Sequence, residues 1–195
     1  MFDRVARRLV DPWIEPLAAR CVARSIAADT ITVAGFGCGV VAILLIAAGH
    51  NLIGLAALLL NRGADGLDGA VARRTGPTER GGYLDIVLDF LIYAGVPFAI
   101  AVAHPEQALA AAFLIFAFVG TGTSFLAFAI FRRAAPKQGK AFTYLGGLTE
   151  GSETIAFFVL VLLFPAGFAW AAWLFGALCW VTTAGRVSAA VTALK

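Results

Sequence analysis

Residues 61–90 read NRGADGLDGAVARRTGPTERGGYLDIVLDF, and the four aspartates in this stretch, Asp65, Asp68, Asp85 and Asp89, decide how the rest of the chain is read. They sit among strongly apolar segments: residues 52–60 lead in and residues 90–103 lead away. Carboxylates at such positions are costly and default to functional roles. Asp65 and Asp68 are spaced i, i+3, and Asp85 and Asp89 i, i+4, so each pair occupies one face of its own helix. A short loop joins the two antiparallel helices, so all four carboxylates are expected to converge in one pocket.

Outward from this stretch, the chain of 195 residues is 61% hydrophobic and only 14% charged, with a mean hydropathy of +0.87. An ordinary soluble domain carries about 25% charge and about 45–50% apolar residues. The excess reads as membrane. Apolar runs at 31–48, 86–103, 108–131 and 155–178 support an all-α integral membrane protein. Six transmembrane helices are predicted, at 31–49, 52–73, 82–103, 108–131, 142–164 and 168–191.

The turns His50-Asn51, His104-Pro105-Glu106-Gln107 and Pro165-Ala166-Gly167 contain no Lys or Arg and fall on one side. The other side carries Arg20, Arg24, Arg74, Arg80, Arg132, Arg133, Lys137, Lys140 and Lys195. The positive-inside rule then places both termini in the cytoplasm and the aspartates near the cytoplasmic face.

Ahead of the first span, Phe2, Val5, Leu9, Trp13, Leu17 and Cys21 recur at steps of three or four, with Arg7, Arg8, Glu15, Arg20 and Arg24 on other faces. Residues 1–27 therefore read as an amphipathic helix at the lipid interface, and residues 28–195 as the catalytic domain. Pro16 predicts a kink in that helix. Arg4, Arg7 and Arg8 interrupt any signal-peptide core. Cys21, Cys38 and Cys179 show no metal-binding spacing and read as packing residues. No nucleic-acid partner is expected.

Four converging carboxylates repel one another unless a cation is bound. All-oxygen ligands favour Mg²⁺, Mn²⁺ or Ca²⁺ over zinc. Two such ions would neutralise a diphosphate and polarise its phosphorus. The alternative is an Asp–Arg network built with Arg62, Arg73, Arg74 and Arg80. Gly66, Gly69 and Ala72 clear volume beside the carboxylates for a flat nucleotide, and Arg73 is suited to a phosphate oxygen.

The pattern Asp65, Asp68-Gly69, Ala72-Arg73, Gly81, Asp85 and Asp89 resembles the signature D-x2-D-G-x2-A-R-x8-G-x3-D-x3-D of the CDP-alcohol phosphotransferases, one residue short between Arg73 and Gly81. The resemblance implies that Asp65, Asp68, Asp85 and Asp89 bind two Mg²⁺ or Mn²⁺ ions, with Asp89 also the general base. It implies that Gly69, Ala72 and Arg73 line the CDP site. Ala28-Asp29-Thr30-Ile31-Thr32 stands where the family often has Pro-Asn-x-x-Thr, which adds Thr32 to that site; Asp29 reads as a helix N-cap. The implied protein is a homodimer that moves a phosphatidyl group from a donor such as CDP-diacylglycerol to an alcohol in phospholipid biosynthesis.

Glu150, Glu153 and Arg186 are the remaining charges inside predicted spans. They are candidates for the acceptor pocket, or for a Glu–Arg pair that fastens the last two helices. Tyr83, Tyr93 and Tyr144 read as packing or interfacial aromatics. The competing functions are an intramembrane Mg-dependent prenyltransferase, which also binds a diphosphate through aspartates, and a non-enzymatic transporter.

Overall fold

The computed structural model describes residues 3–134 and 148–194, with side chains described over 11–131 and 148–194. Among these residues every regular element is helical: α1 (Asp3–Ala23), α2 (Ala28–Ala47), α3 (Asn51–Thr75), α4 (Glu79–Ala103), α5 (Ala108–Ala134), α6 (Gly151–Leu163) and α7 (Phe168–Ala193). Single 3₁₀ turns, Pro105–Gln107 and Pro165–Gly167, precede α5 and α7.

Four segments are long and apolar enough to cross a membrane: Ala28–Ala47, Glu79–Ala103, Pro105–Phe131 and Pro165–Ala193. Large apolar side chains cover their outer faces, among them Leu44, Phe98, Phe116, Trp170 and Leu174. Such a surface is stable against lipid rather than water. The chain is an integral membrane protein.

Helix α2 packs on α3 and α4, α4 on α5, and α5 on α7, while α6 touches α3 and α7. Ile46, Leu58, Ile92, Leu114, Phe158 and Phe168 are fully buried between them. Two glycines let α2 approach its neighbours closely. A β-carbon on Gly35 would lie 2.6 Å from Ala64 Cβ, and one on Gly39 would meet Ile92 and Asn61.

The helix ends explain where the structure departs from the apolar runs. Helix α1 closes on a Schellman pattern, with Ile26 N–H bonded to Cys21 O and Ser25 N–H to Val22 O, and Ser25 at φ 57°. This turn hands the chain directly to α2 at Ala28, three residues before the predicted start. The N-cap is Ala27, so Asp29 is not the cap; it lies in the first turn, with its carboxylate 3.3 Å from Arg80 Nε. Helix α4 likewise starts early because Thr78 caps it, its hydroxyl accepting from Gly81 N–H at 3.0 Å. The predicted span 142–164 begins on residues outside the described ones; its described part is helical from Gly151.

The predicted kink in α1 does not interrupt its helical assignment, which runs unbroken through Pro12 and Pro16. Its buried side chains are Ile14 and Ala18, clustered with Ala70 and Val71 of α3. Trp13 (79% exposed) and Leu17 (47%), both on the predicted apolar stripe, turn outward instead.

Candidate active site

The carboxylates stand where α2, α3 and α4 meet. Asp65, Asp68 and Asp85 each offer an oxygen, and these oxygens all lie within 4.8 Å of one another. Asp68 is the most enclosed, at 6% exposure, and its Oδ2 accepts from Thr32 Oγ1 on α2 at 2.6 Å. A donor set of three carboxylates at this separation suits a hard, oxygen-seeking divalent cation.

Asp89 faces a different partner. Arg62 Nη2 donates to its Oδ1 at 2.5 Å and Arg62 Nη1 to its Oδ2 at 3.1 Å, a bidentate fork. Arg62 Nη1 also lies 3.7 Å from Asp65 Oδ2. Tyr93 closes the group: its hydroxyl is 3.4 Å from Asp89 Oδ2 and 3.3 Å from Arg62 Nη1. Of the four arginines weighed as partners, Arg62 therefore enters the acidic cluster. Arg74 bonds Glu15 on α1, Arg73 lies 4.0 Å from the same carboxylate, and Arg80 pairs with Asp29.

Two cavities adjoin the acids. A recess of about 10 Å³ is walled by all four aspartates together with Thr32, Asn61 and Arg62. A larger groove of about 540 Å³ opens beside it. Its walls include Thr32, Asp68, Gly69, Ala72 and Asp85, together with Gly76, Pro77, Gly81 and Gly82. Only Gly76-Pro77-Thr78 separate α3 from α4, and Gly76 turns the chain at φ 98°. Both Gly81 and Gly82 lie in the first turn of α4 on the groove, so the missing residue of the signature falls at this tight turn. Thr32, Gly69 and Ala72, predicted for the nucleotide, share the groove; Arg73 follows on the same helix, its guanidinium toward Glu15.

Glu150 and Glu153 form a capping box at the start of α6, with Glu150 N–H donating to Glu153 Oε2 at 3.2 Å. The backbone there comes close to the acidic group, since a β-carbon on Gly151 would lie 3.3 Å from Tyr93 Oη. Arg186 donates from Nη1 to the Thr121 carbonyl on α5 at 3.2 Å and lies over the Phe125 ring. Its Nε is buried without a hydrogen-bond partner among the described residues.

Two site residues escaped the sequence reading. The ring of Tyr93 packs against Phe118 and Phe158, as expected, but its hydroxyl also joins the acidic group, a role signalled by its i, i+4 relation to Asp89. Asn61, 4% exposed, donates to Gly35 O and accepts from Arg62 Nε, both at 2.9 Å, and so sets the guanidinium in place.

Known proteins share both sequence and fold with this chain. Over 200 residues it is 54% identical to the inner membrane protein YnjF of Escherichia coli (strain K12), covering 96% of each. It is 41% identical over 91 residues to the archaetidylinositol phosphate synthase of Methanothermobacter thermautotrophicus, 46% of this chain and 43% of that one. The crystal structure of Mycobacterium tuberculosis phosphatidylinositol phosphate synthase (PgsA1) with CDP-DAG bound shares the fold, with a TM-score of 0.71 at 21% identity over 91% of this chain and 92% of that one. The acidic signature lies inside residues 25–185, the stretch matched by the family description CDP-alcohol phosphatidyltransferase, and the chain belongs to that family.

Proposed function

We propose that the protein transfers a phosphatidyl group from a CDP-linked lipid such as CDP-diacylglycerol to an alcohol, releasing CMP, as a step of phospholipid biosynthesis. The observation that carries this reading is the meeting of Asp65, Asp68 and Asp85 in one cluster, two of whose members, Asp68 and Asp85, line a groove together with Gly69 and Ala72. A groove of about 540 Å³ falls within the roughly 300–1,000 Å³ usual for a small-molecule site. The similar fold whose structure holds CDP-DAG supports the donor class.

In this reading the cytidine lies along Gly69, Ala72 and Thr32, with its diphosphate toward Asp68 and Asp85. Arg73 leaves Glu15 to meet a phosphate oxygen; that ion pair is exposed and easily exchanged. Asp65, Asp68 and Asp85 would hold divalent cation, Mg²⁺ or Mn²⁺ and two ions in all, with Asp89 at the edge of the set. When bound, the metal neutralises the diphosphate and draws electrons from the phosphorus under attack. The acceptor hydroxyl attacks that phosphorus, Asp89 takes its proton, the P–O bond to CMP breaks and the lipid phosphodiester is left.

Arg186, Glu150 and Glu153 are assigned to the acceptor side, where the start of α6 approaches Tyr93. The protein works as a homodimer with six spans, both termini and the site facing the cytoplasm, residues 1–27 at the interface and 28–195 forming the catalytic domain. The test is purified protein with CDP-diacylglycerol and a panel of alcohol acceptors, following CMP with and without EDTA. Acceptor-dependent CMP release, abolished by chelator and restored by Mg²⁺ or Mn²⁺, is expected; full turnover in excess EDTA with bound metal shown absent overturns the metal reading.

A further inference from the structure

We infer that Arg62 is a positioning residue that occupies the cation side of Asp89, so that divalent metal must displace its guanidinium fork to use that carboxylate.

The guanidinium is held from several directions. Nε donates to Asn61 Oδ1 at 2.9 Å, and Asn61 is fixed in turn by its own bond to Gly35 O. Nη1 and Nη2 fork Asp89, and the Tyr93 ring lies 5.5 Å from the guanidinium carbon. With the side chain only 13% exposed, this is a built position rather than a passing surface pair. Arg62 comes from α3 and Asp89 from α4, so the fork also spans the gap between the two helices that carry the acids.

The electrostatics give the placement a consequence. Asp65, Asp68, Asp85 and Asp89 bring four negative charges to one recess, and Arg62 returns one positive charge to the Asp89 side. An arginine stays protonated at any working pH. It therefore cannot leave by losing its proton, and its departure strips Asp89 of a counter-charge unless another cation takes its place. The recess of about 10 Å³ has room for roughly one water-sized occupant while the fork is closed. A cation held by Asp65, Asp68 and Asp85 leaves the fork intact, whereas one that also uses Asp89 competes with Arg62 for oxygens that already accept from the fork. A diphosphate arriving in the groove adds negative charge beside the acids, which favours extra cation there and gives the freed guanidinium an anionic partner. Full loading of the acids is thus made contingent on the donor.

This inference rests on the metal reading above, and binding experiments separate the two. Mn²⁺ binding to purified protein in detergent is measured by the loss of the free-ion electron paramagnetic resonance signal, with and without CDP-diacylglycerol. Wild type is compared with Arg62→Gln and Arg62→Lys, and each variant's melting curve is recorded. Without donor, Arg62→Gln is expected to bind Mn²⁺ about tenfold more tightly than wild type, the scale on which a neighbour of metal ligands tunes affinity. Arg62→Lys, which keeps the charge but loses the fork, should fall between them. With donor present the difference should shrink. Equal or weaker Mn²⁺ binding by a folded Arg62→Gln overturns the inference while leaving the metal reading standing. If Arg62→Gln fails to fold, Arg62→Lys decides by the same comparison. Absence of Mn²⁺ binding in wild type and variants alike overturns both.

Discussion

Thr32 Oγ1 donates to Asp68 Oδ2 at 2.6 Å, a bond that ties the second turn of α2 to the C-terminal third of α3. The same hydroxyl lies 3.1 Å from the Ala28 carbonyl, its alternative acceptor within the helix. Bonding to Asp68 leaves that carboxylate's second oxygen for a cation and fixes the plane in which it is presented. Thr32→Val removes the donor at nearly constant volume. It is expected to lower metal affinity or CMP-forming turnover about 10–100-fold, the usual cost of losing a partner of a metal ligand. Thr32→Ser should restore most of it. A Mg²⁺ titration of CMP release checks this, and an unchanged Mg²⁺ requirement in Thr32→Val refutes the role.

The unequal surroundings of the four aspartates predict unequal variants. Asp65→Asn, Asp68→Asn and Asp85→Asn each weaken the clustered set, so metal and donor binding should fall together. Asp89→Asn should reduce turnover far more than donor binding, because a base acts in the chemical step. Donor binding measured beside single-turnover CMP release separates the two. Near-wild-type turnover in Asp89→Asn removes it as the base.

Arg186 tests the acceptor side. Nη1 bonds the Thr121 carbonyl, and Nε is buried without a hydrogen-bond partner among the described residues. Arg186→Met should raise the acceptor KM about tenfold, the equivalent of about 1.4 kcal/mol, with little change in donor KM. Equal loss toward both substrates together with a lowered melting temperature makes Arg186 a fastener between α5 and α7 instead.

Gly76 tests the turn that lines the groove. At φ 98° a β-carbon is strained whatever space surrounds it, by about 1–3 kcal/mol. Gly76→Ala should therefore lower the melting temperature in detergent and raise the donor KM, since the turn lines the groove. Gly37→Ala provides the control: an added β-carbon there meets nothing within 4 Å. Equal melting and equal kinetics in the two variants refute the strain.

Much of this arrangement was legible before any coordinates, and the parts that were not share a physical cause. Spacing along a helix determines which side chains share a face, so the convergence of Asp65, Asp68 and Asp85 followed from numbers alone. Spacing does not determine where a long side chain ends. Arg62 is one turn from Asp65, yet its fork reaches across to Asp89 on α4. The i, i+3 relation of Glu150 and Glu153 has the same limit: it describes a shared face and a capping box equally well, and the local backbone bond fixed the second. In α1, periodicity identified an apolar stripe, and its Cys21 packs with Ile14 and Ala18 against α3, but Trp13 and Leu17 stay exposed. Beside a membrane both surroundings are apolar, so hydrophobicity alone carries no label for protein against lipid.

The close seat of α2 extends the protein's intolerance to change beyond its reactive side chains. Gly35 and Gly39 touch no substrate in the proposed reaction, yet neither has space for even a methyl group. Gly35 accepts from the Asn61 that steadies Arg62, and Gly39 abuts that same Asn61, so an added atom displaces the carboxylates' own support. A saturation-mutagenesis map would therefore show a line of intolerance running along α2 from the acid recess at Gly35 to Gly39, drawn by close helix contact, which a search restricted to reactive side chains would pass over.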